Sequence, residues 1–294
     1  MQEILCANKI SKSYGDKEVL RDINVSLNEG ELVCLLGVSG VGKTTLFNIL
    51  SGLMKPDSGK VILKKSHSNN EKKYVFFEKN ISFENSGTSL KDAIYEKRGT
   101  SEKEACMLSV NNDYMDITGI SGHISYMLQK DLLLPHKTVL DNAALPLVIS
   151  GMSKKTAREK AASYFERFGL SGTEKKYPVQ LSGGMRQRVA LLRTYLCGNS
   201  VALLDEPFSA LDTLTRASVH EWYLKVMDDI KLSTIFITHD IDEAILISDR
   251  ICILKGQPAA ITDEIVIDEQ KPRGQDFVLT DKFLEYKRMI KSIL

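Results

Sequence analysis

The nonapeptide GVSGVGKTT, Gly37 to Thr45, limits the possible folds of this 294-residue chain more than any other feature. It follows the short apolar run LVCLL directly and leads into TTLFNILSGL, which continues as a helix. Glycine, four residues, then Gly42-Lys43-Thr44 is the P-loop pattern. Glycines at Gly37, Gly40 and Gly42, with Ser39 between them, let backbone N–H groups turn inward around phosphate oxygens. Lys43 then neutralises the β- and γ-phosphates, the Thr44 hydroxyl completes a Mg²⁺ shell, and Thr45 extends the cradle. A merely flexible glycine loop would explain neither the lysine nor the strand and helix on either side.

Three further segments, SVALLDE, STIFITHD and SDRICILKG, read as strands; the first two are apolar and then abruptly polar at their C-terminal ends. Near-continuous apolar runs separated by helical stretches predict a mostly parallel sheet covered on both faces. Ligands in such sheets bind beyond the carboxyl ends of the strands, where the polar residues gather. Asp205-Glu206 ends one of these strands. Asp205 is placed to meet Mg²⁺ through water, and Glu206 to orient and deprotonate an attacking water, a role typically worth ~10²–10⁴ in rate. His239 ends another strand on the same edge, within reach of a γ-phosphate. The remaining histidines, His67, His123, His136 and His220, read as bystanders. Gln129, after the strand-like ISYML, is a candidate for the metal or the water. Tyr14, upstream of the P-loop strand, can stack on a nucleobase or sit half-buried in the core.

A second glycine turn raises a question. QLSGGMRQRVALLRTYL, residues 180–196, places Ser182, Gly183 and Gly184 at the mouth of an amphipathic helix, itself a favourable anion site. One nucleotide needs only one cradle.

The remaining composition excludes several alternatives. A formal net charge of +1 carries no nucleic-acid footprint, and 43% hydrophobic with 26% charged residues is ordinary for a soluble domain. The five cysteines are scattered without metal-ligand spacing, which suits a reducing compartment. No apolar run approaches bilayer length, and the N-terminus lacks a secretory core. Any membrane role must therefore come through a partner.

Taken in order, Tyr14, the P-loop, Gln129, LSGGMRQR, Asp205-Glu206, the Ser209-Ala-Leu-Asp212 loop and His239 resemble the ATP-binding subunits of ABC transporters. The resemblance spans nearly the whole chain apart from about 64–113 and the last thirty or so residues. It implies an α/β P-loop NTPase of ABC ATPase type: a RecA-like core, an antiparallel β-subdomain and an inserted helical subdomain at about 137–199. The ATPase domain would run over 1–256, with a short tail and closing helix at 257–294. In this family two chains associate head to tail around two ATP molecules. Ser182, Gly183 and Gly184 would contact a γ-phosphate held by the partner's P-loop, and Asp212 would lie at the dimer seam. ATP and Mg²⁺ are the implied cofactors. The implied partners are a second ATPase chain, transmembrane permease subunits and, indirectly, an extracytoplasmic solute-binding protein. The implied location is peripheral, on the cytoplasmic face of the membrane.

DEPFSALDTLTR and THDIDEAILISDR look like importer ATPases of the nitrate, sulfonate and taurine group, which includes transporters for thiamin-precursor pyrimidines. ABC-type ATPases of DNA repair or translation share the motifs, but carry long coiled coils or a tandem second cassette that this sequence lacks. The departure from the family is the polar segment at about 64–113, with one strand-like run (YVFFEKNISF) and one helix-like run (SLKDAIYEKR). It reads either as a passive surface elaboration or as a regulatory or partner contact.

Overall fold

The computed structural model describes residues 2–65, 113–209, 213–271 and 273–294. YVFFEKNISF, SLKDAIYEKR and Asp212 lie outside the described residues.

The chain opens with a long antiparallel pair, β1 (Glu3–Tyr14) and β2 (Lys17–Asn28). It continues through β3 (Leu32–Leu36) and the P-loop into α1 (Lys43–Leu50). Strands β4 (Ser58–Lys64), β5 (Tyr114–Asp116) and β6 (Ser125–Met127) follow, then helices α2 (Val139–Ile149), α3 (Lys154–Ala162) and α4 (Gly183–Tyr195). Strand and helix then alternate as β7 (Val201–Asp205), α5 (Thr213–Ile230), β8 (Ser233–Thr238), α6 (Ile241–Ile247) and β9 (Arg250–Lys255). The last elements are β10 (Ala260–Val266), α7 (Gln275–Val278) and α8 (Asp281–Ile293).

Among the described residues these strands form two sheets. One is antiparallel, in the order β2-β1-β4-β5; the other runs β10-β9-β3-β8-β7-β6, parallel throughout except for β10. The parallel sheet is the one expected from the apolar runs, and its burial explains their composition. All five residues of β3 are buried, but they face opposite ways. Leu32, Cys34 and Leu36 join a core with the helical layer, whereas Val33 and Leu35 join one with α1 and the antiparallel sheet. A strand with an apolar layer on each face needs no polar alternation.

In SKKTAREKAASYFERFGL, residues 153–170, Ser153 reads as a cap and Ala157, Ala161, Tyr164, Phe165 and Phe168 as one stripe of a helix ending at Gly169, but the observed helix is shorter than that stripe. Ser153 caps α3 as read, but the helix ends at Ala162. The chain then tightens into turns in which Tyr164 and Phe165 donate to carbonyls three residues back, before Gly169 reverses it with φ 64°. Ala157, Ala161, Phe165 and Phe168 are still buried together, because the tighter turns keep them on one side.

The tail is strapped to α6. Arg273, only 4% exposed, donates to the carbonyls of Ile245, Ser248, Ile267 and Glu269, the first two at the C-terminal end of α6. Lys287 on α8 reaches Asp242 in the first turn of α6 (2.8 Å). In the antiparallel sheet, β4 pairs with β5 through Lys64 and Tyr114, and the Lys65 amide donates to the Asp113 carbonyl (2.6 Å).

Candidate functional site

The carboxyl ends of β3, β7 and β8 lie side by side in the parallel sheet, so the residues that follow them share one edge. After β3, the loop leaves the sheet at Gly37, which is buried against β9: a Cβ there would stand 2.6 Å from the Leu254 carbonyl. Gly42, with φ 117°, forms the N-cap of α1, and a Cβ would press on the Leu20 and Val19 side chains. Val38, Ser39 and Gly40 are exposed between these two constrained points, so the loop offers its backbone outward.

Lys43 begins α1 and folds back over this loop. Its Nζ donates to the carbonyls of Gly37 (2.6 Å) and Val38 (2.9 Å). Burial lowers the Lys43 pKa, and the nearby Glu206 and Asp205 carboxylates oppose that shift. Thr44 Oγ1 stands 3.3 Å from Asp205 Oδ2, at the end of β7. Desolvation holds the Asp205 carboxyl above its ordinary range, partly offset by the hydrogen bond from Thr44.

Glu206 sits in the left-handed region with φ 45°, an uncommon backbone for a residue with a Cβ. Its own backbone holds it there: the amide donates to the Ile237 carbonyl of β8 (3.1 Å), and its carbonyl accepts from both the amide and the hydroxyl of Ser209. The carboxylate is thereby turned toward two other segments. Oε2 accepts from Gln129 Nε2 at 2.9 Å, and Oε1 lies 3.1 Å from His239 Nδ1. Three residues picked out from separate parts of the sequence thus meet at one carboxylate.

Tyr14 lies at the tip of the β1–β2 hairpin, half exposed, its hydroxyl donating to Met54 Sδ (3.1 Å). Thr45 follows Thr44 in the first turn of α1, partly buried. Ser182 is the N-cap of α4 and accepts from the Met185 amide (3.3 Å), with Gly183 and Gly184 opening the helix. No hydrogen bond among the described residues joins Ser182–Gly184 to the P-loop. The helix packs instead on α2 and β6.

Two sets of contacts were not picked out from the sequence. Tyr126 on β6 packs edge-on against Phe47 and brings its hydroxyl to 3.4 Å from Asp205 Oδ2. Asp131, two residues after Gln129, accepts from Arg186 Nε (3.1 Å), while Arg193 donates to the carbonyls of Asp131 (2.5 Å) and Leu132 (2.9 Å). The Gln129 segment is therefore bolted to α4, the helix that begins at Ser182. The sequence signal was available in the paired charges of QKD and MRQR, though nothing in it shows that they meet.

A glycine-rich loop after a parallel strand, a lysine folded over it and a strand-end carboxylate pair on the same sheet edge define a P-loop nucleoside triphosphatase. The ABC transporter family model matches residues 20–112 and 88–209, and the chain belongs to that family as an ATP-hydrolysing subunit. It is 34% identical to the formylaminopyrimidine import ATP-binding protein ThiZ of Halalkalibacterium halodurans, over 99% of this chain and 95% of that protein. It is 29% identical to the nitrate import ATP-binding protein NrtD of Synechocystis, over 95% of this chain and 89% of that one. Among solved structures it is similar to the ATP-binding cassette MJ0796, in a dimeric post-hydrolysis state bound to ADP and Pi. That likeness has a TM-score of 0.62 at 26% identity and covers 91% of this chain and all of the other. Among the described residues no helix is long and apolar enough to cross a membrane.

Proposed function

We propose that this chain powers solute import by hydrolysing ATP between two copies of itself, docked beneath separate membrane permease subunits. The observation that carries the reading is the carboxylate of Glu206, held between Gln129 and His239 beside the Thr44–Asp205 pair. In this reading Gly37, Ser39, Gly40, Gly42, Lys43, Thr44 and Thr45 hold the phosphates, and Tyr14 stacks on the adenine. The oxygen donors of Thr44, Asp205 and Gln129 suit Mg²⁺, a hard cation that keeps several waters and needs few protein ligands. Bound there, Mg²⁺ supplies charge neutralisation at the phosphate oxygens. Glu206 takes the proton from the attacking water, Gln129 fixes that water, and His239 steadies the carboxylate and the γ-phosphate.

Ser182, Gly183 and Gly184 serve the partner's nucleotide; among the described residues their helix N-terminus makes no hydrogen bond to the chain's own P-loop. Asp212 belongs at the seam between the copies. The likeness to a dimeric cassette supports the pairing, and the likeness to import subunits supports a permease, a solute-binding protein and a peripheral position on the cytoplasmic face. The transported solute falls in the nitrate, sulfonate or pyrimidine-precursor class. Glu206→Gln tests the reading: ATP binding persists, phosphate release stalls, and an ATP-dependent dimer accumulates on size exclusion. Wild-type phosphate release by that variant would remove Glu206 from the proposed role.

A further inference from the structure

His220, a bystander by sequence, is buried beneath the catalytic edge, only 8% exposed, on α5. One face of its ring packs edge-on against Phe208, with centroids 4.6 Å apart. Phe208 is two residues beyond Glu206 in the segment that ends β7, and is itself buried. On its other side His220 Nε2 faces Glu243 Oε1 at 3.4 Å, an ion-pair distance without hydrogen-bond alignment. The second oxygen of Glu243 accepts from Thr238 Oγ1 at 2.6 Å, and Thr238 Oγ1 in turn accepts from the Asp240 amide at 3.0 Å. Thr238 and Asp240 are the two neighbours of His239. Asp240 also caps α6 by accepting from the Asp242 and Glu243 amides.

A single buried side chain thus touches both supports of the catalytic pair. Through Phe208 it bears on the segment that sets Glu206; through Glu243 and Thr238 it bears on the turn that sets His239. We infer that His220 and Glu243 are positioning residues that hold the Glu206 carboxylate and the His239 imidazole in register for hydrolysis. The inference rests on the roles proposed above for Glu206 and His239. Among the described residues no hydrogen bond or ion pair joins His220 or Glu243 to Lys43, Thr44 or Asp205, so their effect should fall on turnover and spare nucleotide binding.

The test uses the purified full chain, with phosphate release giving kcat and KM and a fluorescent ATP analogue giving affinity. His220→Leu keeps a side chain of fair bulk beside Phe208 but removes the ring nitrogen facing Glu243. It should lower kcat about tenfold or more, since small displacements of reacting groups cost that much, with KM and analogue affinity within about twofold. His220→Gln again presents a side-chain nitrogen to Glu243 and should recover kcat to within about threefold of the parent. Should the leucine variant fail to accumulate as folded protein, His220→Asn, polar but too short to reach Glu243, takes its place with the same expectation. Wild-type kcat in the leucine or asparagine variant, a glutamine variant as impaired as leucine, or a matching rise in KM would each overturn the inference. Glu206→Gln in the same assay separates the two levels. If it stalls while His220→Leu turns over normally, only the positioning role fails; if it turns over normally, the underlying assignment of the site fails.

Discussion

His239 Nδ1 and Glu206 Oε1 stand 3.1 Å apart. With Nδ1 facing the carboxylate, Nε2 is the nitrogen that would address a phosphate oxygen or its water in the proposed reading. His239→Ala should therefore retain ATP affinity within a few-fold while phosphate release falls by about 10² or more. Paired equilibrium-binding and steady-state measurements on one preparation check this, and equal losses in both would point to a binding role instead.

Ser182→Arg puts a long cation at the mouth of α4, where the helix offers N–H donors, and leaves the chain's own P-loop untouched. Monomer affinity for ATP should stay within about twofold, whereas the ATP-dependent dimer should vanish from light-scattering profiles and hydrolysis should fall with it. Loss of nucleotide binding by the monomer would show that the second glycine turn serves its own chain.

Asp205→Asn should make the protein more heat-stable in the absence of Mg²⁺ and nucleotide, though inactive. Burial holds the Asp205 carboxyl above its ordinary pKa, so at neutral pH the folded state carries an ionised group it disfavours. The amide removes that cost, raising Tm by about 2–4 °C for each kcal/mol relieved. As pH falls through the raised pKa the parent's carboxyl becomes neutral too, and the gap between the two melting curves should close, vanishing below the unfolded-chain value of 3.8. A gap that widened toward acid would reverse the sign assigned to burial.

Arg273→Ala should destabilise the fold without altering the nucleotide chemistry directly. The guanidinium satisfies four buried or half-buried carbonyls at the end of α6 and in the tail. Stranding them costs about 3 kcal/mol or more, visible as a lowered urea midpoint at unchanged slope.

The residues legible in the sequence were those whose position follows from a local rule. Lys43 and Thr44 come from a loop pattern; Asp205, Glu206 and His239 come from the change from apolar to polar at the end of a buried strand. Such residues share an edge once the strands are parallel, whatever the strand order. Contacts that depend on which segments become neighbours were not legible. Tyr126 meets Asp205 only because β6 pairs with β7, and Asp131 meets Arg186 and Arg193 only because α4 packs on β6. The early end of α3 has the same origin: a stripe of apolar residues marks the buried side of a segment, and tight turns preserve that side as well as a helix does.

The Lys65 amide and the Asp113 carbonyl hold the two flanks of the intervening sequence together at the end of the β4–β5 pair. Because closing a loop costs only about 0.6 kcal/mol per doubling of its length, changing the length of chain between those two flanks should cost the scaffold little. Splicing Lys65 to Asp113 through an Asn-Gly turn should leave the ATPase rate and the melting temperature nearly unchanged. The same junction would accept a fluorescent or affinity insertion, giving this cassette a handle on its antiparallel sheet rather than on the sheet that carries Asp205 and Glu206.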